Sequence, residues 1–464
     1  MVHLAGRDQT RHRLDGLGQV DVVDSQPQQR GVAATAHVVR LSPDPTTVVA
    51  GRAVDSELRG HDDLFAPAHD RAAEQHLVVA GTVDVGRVPR PTKGGYHPRP
   101  LLPIGKLPTL PVTTRPALGS SLVTNAYRLP ATMTVIGSYR GLPISDPQSM
   151  VSAELPLPDL RPHDVLVRVA AVSINPADVT RRAAAPAADT PTVLGFDAAG
   201  TVVALGPEAS GYVLGDEVYY AGDVSRQGSN AEYHAVDSRI VGRKPANLTW
   251  AESAAVPLTT ITAWEAMFDK FKLTPETRGT LLVVAGAGGV GSMLIQLAKK
   301  LTELTVIATA SREESRDWAH SLGADMVVDH SGDFAANVLD QVPDGVDYIF
   351  SPYSKGNVEN YAKIGRPFSE VCAIDGHPDL NLQPLMRKSI TWHWEWMFTR
   401  SVFATDDITT QRDLLDRAAE MFESGDLRTT LTTEISGFTV DNLRKAHELV
   451  ESGRTIGKVV VARG

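Results

Sequence analysis

Apolar and polar positions along this chain change their period twice, and each change marks a boundary. Between residues 133 and 257 the apolar positions fall in short runs. Residues 165–172 alternate apolar with polar, 200–205 and Glu217–Tyr220 are brief β-type runs, and Gly215-Asp216 supplies a turn. From 258 to 391 strand and helix patterns alternate instead. Residues 281–285 read as a buried strand, 290–301 as a helix, 304–309 as a strand and 313–322 as a helix. Met326–Val328, 346–350 and 368–374 predict three further strands. Such alternation predicts a parallel sheet with right-handed crossovers. Residues 392–464 return to mixed structure, with helices over 412–424 and 440–452 and a closing strand Lys458–Ala462. The expected fold is α/β. A β-rich domain in two pieces, 133–257 and 392–464, flanks a doubly wound parallel-sheet domain at 258–391.

Residues 1–132 read differently, with no period that persists from one element to the next. They hold half of the 14 histidines, many arginines, and only Lys93 and Lys106 as lysines, and prolines crowd residues 89–116. The preferred reading is a GC-rich message translated upstream of its true start, so that the functional protein begins at Met133. The alternative is an irregular or disordered extension with a regulatory or targeting role.

Composition narrows the classes. A net charge of −10 argues against nucleic acid or an anionic membrane as the main partner. Cys372 is the sole cysteine, so no intramolecular disulfide and no thiolate-rich zinc site are expected. No apolar run approaches the roughly 20 residues that a membrane helix needs, and no secretion-type segment opens the chain. The cytoplasm is the expected location.

The strongest local motif is Gly286-Ala287-Gly288-Gly289-Val290-Gly291, placed after an apolar strand and at the start of a helix. Gly286 is expected to make the tight turn, Gly288 to let backbone N–H groups approach a pyrophosphate, and Gly291 to let helix and strand pack closely. The helix start adds donors and a favourable dipole for Gly289 and Val290 to present. The second strand ends in Thr309-Ala310-Ser311-Arg312, where an NAD site usually carries a carboxylate for the ribose 2′-OH. A hydroxyl at Ser311 and a guanidinium at Arg312 suit a 2′-phosphate, so NADPH is expected over NADH. Arg312 merely decorating a helix start is the other reading.

Motifs flanking the loop carry a family resemblance. They are Ser173-Ile174-Asn175-Pro176-Ala177-Asp178, Leu194-Gly195-Phe196-Asp197, Gly215-Asp216-Glu217-Val218, the stretch from Ala254 through Pro257 and Thr262 to Ala263, and the terminal Gly457-Lys458-Val459. In this order, residues 133–464 resemble the medium-chain dehydrogenase/reductase superfamily and its quinone oxidoreductase-like branch. Tyr220-Ala221-Gly222-Asp223 and the His393-to-Arg400 stretch are similar to a subgroup of zinc-type alcohol dehydrogenase-like proteins. The resemblance implies a GroES-like catalytic domain beside a Rossmann domain. It also implies that Asn175 and Thr262 contact the nicotinamide end of the cofactor, and that His330 lies by the 2′-phosphate with Ser311 and Arg312. Asn175 as a turn-former and His330 as a surface histidine remain alternatives. Lys458 serves the phosphates or is a solvated strand-end lysine. Zinc-using relatives hold their metal with Cys and His where this chain has Asn175 and Phe196, and no Cys precedes the glycine loop. Zinc is therefore not expected.

Without zinc to stabilise an alkoxide, reduction of a polarised acceptor is the less demanding reaction. A quinone or an enone is the expected substrate. Quinone reductase-like relatives often carry a Tyr five residues after the position of Asn175; this chain has Thr180, and Tyr220 is the substitute candidate for proton donor, against a core tyrosine. In Trp392-His393-Trp394-Glu395-Trp396-Met397-Phe398 three tryptophans alternate along a strand. This is either a core or dimer-edge strand, or Met397 or Phe398 lines the acceptor cleft. A homodimer is expected. Enoyl-thioester or enone reduction, and a non-catalytic NADPH-binding sensor or structural protein, are the rival functions.

Overall fold

The computed structural model describes residues 129–464 and, before them, three short strands, His12–Arg13, Gln19–Val23 and Val38–Leu41, paired antiparallel. Apart from those strands and residues 129–132, both readings of the segment 1–132 concern residues outside the described ones.

Six parallel strands form one sheet in the order Met326–Val328, Thr305–Thr309, Thr280–Val283, Val346–Ser351, Gly365–Ala373, Thr391–Trp394. Numbered along the chain this is 3-2-1-4-5-6, the doubly wound order, with its switch point between Thr280–Val283 and Val346–Ser351. Leu281 and Val283 pack towards helices Gly289–Leu301 and Glu313–Ser321, while Leu282 packs towards Phe334–Gln341 and Val358–Ile364. A strand covered on both faces needs apolar side chains on both, hence its unbroken apolar run. The domain boundary expected after residue 391 needs correcting. Residues 391–394 pair in register with 370–373 as the sixth strand of this sheet.

The second lobe is β-rich. Its main sheet runs Gly242–Arg243, Glu217–Tyr220, Ala198–Leu205, Asp164–Ile174, Lys458–Ala462, Leu431–Ser436, with Tyr233–Asp237 also paired to Asp164–Ile174. A smaller sheet joins Val151–Pro156, Thr132–Ser138 and Thr192–Val193. The closing strand binds antiparallel to the long one, from Val459 opposite Ile174 to Ala462 opposite Ala171. Chain that leaves this lobe near Pro257 therefore returns to its centre. One core cluster, including Phe196, Tyr219, Ile261, Leu294 and Phe398, continues from one lobe to the other. Among the described residues no helix is long and apolar enough to cross a membrane.

Candidate active site

The chain leaves the strand Thr280–Val283 through Ala285, which takes a positive φ of 56°. This is the left-handed region, costly for a residue with a Cβ. Thr309 holds it there: its hydroxyl accepts the N–H of Ala285 at 2.9 Å and its carbonyl that of Gly286 at 3.0 Å. The tight turn thus falls one residue before Gly286. Gly286 is needed for a different reason, since a Cβ on it would lie 2.6 Å from the Cβ of Ala308. A Cβ on Gly291 would lie 2.6 Å from the carbonyl oxygen of Ala285, so helix and turn touch there. Gly288 is less confined, with a nearest approach of 3.3 Å, and Gly288, Gly289 and Val290 are partly open to solvent. The helix Gly289–Leu301 begins at this opening, and the N–H groups of its first turn have no partners within the helix. Such a turn can cradle an anion.

Two strand ends meet beside this turn. Thr309 and Val328 are paired, and Ala310 donates to the Val328 carbonyl at 3.0 Å. Ser311, Arg312 and His330 follow these ends, so the structure brings the three together on one edge, His330 exposed and the other two half-buried. Arg312 donates through a terminal guanidinium nitrogen to the Arg454 carbonyl at 2.6 Å. Arg316, which sequence reasoning missed, reaches the carbonyls of Ala310 and Ser311 and pairs with Asp329 at 2.7 Å. Its i+4 spacing from Arg312 on one helix was the available signal. The guanidinium neutralises Asp329, the one carboxylate next to His330.

At the junction of the lobes lies a buried polar network. Lys458 is 3% exposed, so it is not a solvated strand-end lysine. Its ammonium donates to the Ile174 carbonyl at 3.2 Å and to Asn175 Oδ1 at 2.5 Å, and lies 3.2 Å from Asp197 Oδ2. Three donors meet three acceptors. Asn175 caps the helix Pro176–Ala183, and its amide nitrogen donates to Asp197 at 2.8 Å. The lysine and carboxylate fix which way that amide points. Asp197 also accepts from the Leu258 N–H at 2.8 Å, and Asp178 from the N–H groups of Asn175 and Gly195, each at 2.9 Å. Burial pushes Asp178 up to about 7 despite those two bonds. Burial also raises Asp197, against the pull of the Lys458 ammonium.

The network is tied to the glycine loop. Gly457 donates to the Ala287 carbonyl at 2.8 Å, and the Lys458 stem lies 2.8 Å from where a Cβ on Gly289 would stand. Thr259 presents its methyl to the same spot, 3.1 Å away. Thr262 is one turn further along that face of the helix Pro257–Trp264, its hydroxyl donating to the Leu258 carbonyl at 2.8 Å.

Tyr220 does not reach this junction. It is 1% exposed and packs with Ile136, Val169 and Val459 inside the β-rich lobe, on the face of its strand opposite Tyr219. His234 Nε2 faces the Gln227 carbonyl at 2.9 Å and so carries the proton. Its Nδ1 then accepts from the Tyr220 hydroxyl at 3.1 Å. Burial raises the tyrosine and lowers the histidine to about 4. Tyr220 is a core tyrosine, buried and bound to His234, which does not suit the proton donor expected from the sequence.

Phe196, the residue that the resemblance sets at a metal-binding histidine's position, is 2% exposed. Its ring meets Phe398 edge-on at 5.4 Å, and Trp396 meets Phe398 at 5.8 Å. A phenyl ring and a doubly engaged amide cannot serve as zinc ligands. Among the described residues no group of three or more His, Cys, Asp or Glu could hold a metal ion. The donor set does not fit zinc. The aromatic segment is anchored by groups that the sequence did not single out. Gln411 donates to the Met397 carbonyl at 2.5 Å, and Arg400 pairs with buried Glu265 at 2.6 Å. Burial and the neighbouring Glu395 raise Glu265, against the pull of the Arg400 guanidinium.

A family model described as alcohol dehydrogenase GroES-like domain matches residues 161–265, and one described as zinc-binding dehydrogenase matches residues 322–461. A zinc-type alcohol dehydrogenase-like protein of Staphylococcus aureus is 40% identical over 304 residues, or 64% of this chain and 90% of its own length. The NADPH-dependent alkenal/one oxidoreductase of Arabidopsis thaliana is 29% identical over 323 residues, 67% of this chain and 75% of its own. A crystal structure assigned to a zinc-dependent alcohol dehydrogenase protein of Rhizobium etli matches with a TM-score of 0.69 and 45% identity, over 71% of this chain and 98% of its own.

Proposed function

Because the chain belongs to the medium-chain dehydrogenase/reductase superfamily, in its quinone oxidoreductase-like branch, we propose that it is a zinc-independent oxidoreductase reducing a quinone or enone with NADPH. One observation carries this reading. The phosphate-type turn at Gly286–Gly291 is bonded, through Gly457 and Lys458, to a buried junction built on Asn175 and Asp197, where the described residues offer no cluster that could hold a metal. When bound, the reduced nicotinamide supplies hydride. The protein supplies position: the helix start at Gly289 holds the diphosphate, Ser311, Arg312 and His330 take the 2′-phosphate, and Asn175 and Thr262 orient the nicotinamide end. Phe196 and Phe398 keep water from the reacting carbon. The name of the Arabidopsis relative supports both NADPH and a conjugated carbonyl acceptor.

The donor set supports a metal-free site, although several relatives carry zinc in their names. A steady-state screen of quinones, enones, enoyl thioesters and aldehydes with both cofactors, repeated after chelation, tests this. NADPH oxidation by quinones or enones that survives chelation is the expected result. Preference for thioesters favours the enoyl-reductase alternative, and tight NADPH binding without turnover favours a sensor. Chelator-sensitive alcohol oxidation overturns the proposal.

A second copy of the chain is the proposed partner, and the cytoplasm the proposed location. Among the described residues the strand Thr391–Trp394 ends the six-stranded sheet with one edge unpaired, and its last residue, Trp394, is 55% exposed. An open apolar edge is a template for another strand, and its own twin satisfies it by symmetry. Light scattering should give twice the chain mass, and a Trp394→Lys variant should be monomeric.

A further inference from the structure

Arg181 has no partner among the described residues that explains it. It is half-buried on the helix Pro176–Ala183, one turn beyond Asp178, and its guanidinium lies over the Phe196 ring, 5.8 Å from the centroid. Among the described residues it forms no hydrogen bond and no ion pair. Two carboxylates act on it from beyond pairing distance, Asp178 and Asp223. Both are engaged elsewhere: Asp178 by the N–H groups of Asn175 and Gly195, Asp223 by the N–H and hydroxyl of Ser225. The neighbouring Arg182 shows the ordinary alternative, buried and bound to the Leu142 carbonyl and to Glu451. A half-buried cation above an aromatic ring, whose N–H donors meet no acceptor among the described residues, can seat a planar anion.

We infer that Arg181 is a catalytic residue that receives the oxyanion formed on the acceptor. This rests on the reductase reading. Hydride forms a C–H bond at the β-carbon of the enone, and the displaced π pair moves to the carbonyl oxygen, leaving an enolate beside oxidised nicotinamide. Two N–H groups of Arg181 bind that oxygen as its charge develops. A proton from water then goes to the α-carbon, giving the saturated ketone and releasing hydroxide to the solvent. Arg181 stays protonated throughout, since guanidinium does not release its proton at neutral pH. It supplies, without a metal, the positive charge that the Phe196 position cannot hold.

The test uses the full chain saturated with NADP⁺ and titrated with 4-nitrophenol, whose phenolate is planar, anionic and visible. In the wild type the bound phenol should ionise at lower pH than in free solution. In Arg181→Gln the phenolate should bind at least about tenfold more weakly and that shift should vanish, while Arg181→Lys keeps part of both. Binding of NADPH itself, read by its fluorescence, should be unchanged in either variant. With the best enone, kcat/KM of Arg181→Gln should fall by about 10²–10³. Equal phenolate binding by wild type and Arg181→Gln, or none by wild type, overturns the inference. A phenolate shift that depends on Arg181 in a protein reducing no acceptor overturns the reductase reading instead and leaves the oxyanion seat standing.

Discussion

The backbone N–H of Gly457 donates to the carbonyl of Ala287 at 2.8 Å, which bonds the last strand of the β-rich lobe to the glycine loop of the other. The next residue, Lys458, then turns its ammonium onto Asn175 and Asp197. Glycine loop and buried polar junction are thus held by two adjacent residues.

Lys458→Met should be costly for this reason. It leaves Asp197, 1% exposed, as a buried carboxylate without its cation. Removing one partner of such a pair costs about 3–5 kcal/mol. Urea unfolding should show a loss of that order, and the double variant Asp197→Asn with Lys458→Met should lose less than the two single losses added. A single variant as stable as the wild type would mean that the pair is not formed.

Two glycines of one loop should fail in different ways. A Cβ on Gly291 would press on the Ala285 carbonyl at 2.6 Å, so Gly291→Ala should lower stability by about 1–3 kcal/mol as well as weaken NADPH binding. A Cβ on Gly288 meets nothing nearer than 3.3 Å. Gly288→Ala should keep its melting temperature and lose affinity, because the added methyl stands where the ligand must approach. Thermal unfolding with and without NADPH separates the two.

Arg312→Ala should raise the dissociation constant for NADPH by about tenfold or more and spare NADH, as expected for loss of charge-assisted bonds to the 2′-phosphate. Titration by nicotinamide fluorescence measures both. Equal losses would place Arg312 elsewhere.

His447 sets a pH dependence. It is fully buried, both ring nitrogens lack hydrogen-bond partners among the described residues, and burial, helped by the Arg182 charge, lowers it to about 3. Unfolded, it titrates near 6.5. Below that pH the unfolded chain takes up a proton that the folded one refuses. This contribution to stability is therefore present above pH 6.5 and lost progressively as pH falls towards 3. His447→Leu should leave stability at pH 8 nearly unchanged and reduce the acid-side slope by up to about 1.4 kcal/mol per pH unit. Identical slopes would contradict the assignment.

What could be read in the sequence depended on how local each cause was. The glycine loop was legible because its constraints act within six residues, although the positive φ went to Ala285 through Thr309, on a different strand. The doubly wound sheet followed from alternating periods. The place of residues 391–394 in it did not, because pairing with 370–373 leaves no mark on either segment's period. Tyr219 and Tyr220 are both buried on opposite faces of one strand, so alternation could not tell which faced the other lobe. The burial of Lys458 depends on Asp197, a carboxylate distant in the chain. Ser311, Arg312 and His330 were brought together as the order of strands requires.

The account stands most directly on whether the loop at Gly286–Gly291 binds NADPH. Calorimetric titration of the full chain with NADPH and with NADH measures it. The account predicts NADPH binding in the micromolar range and NADH at least about tenfold weaker. Folded protein that binds neither nucleotide at millimolar concentration would contradict it.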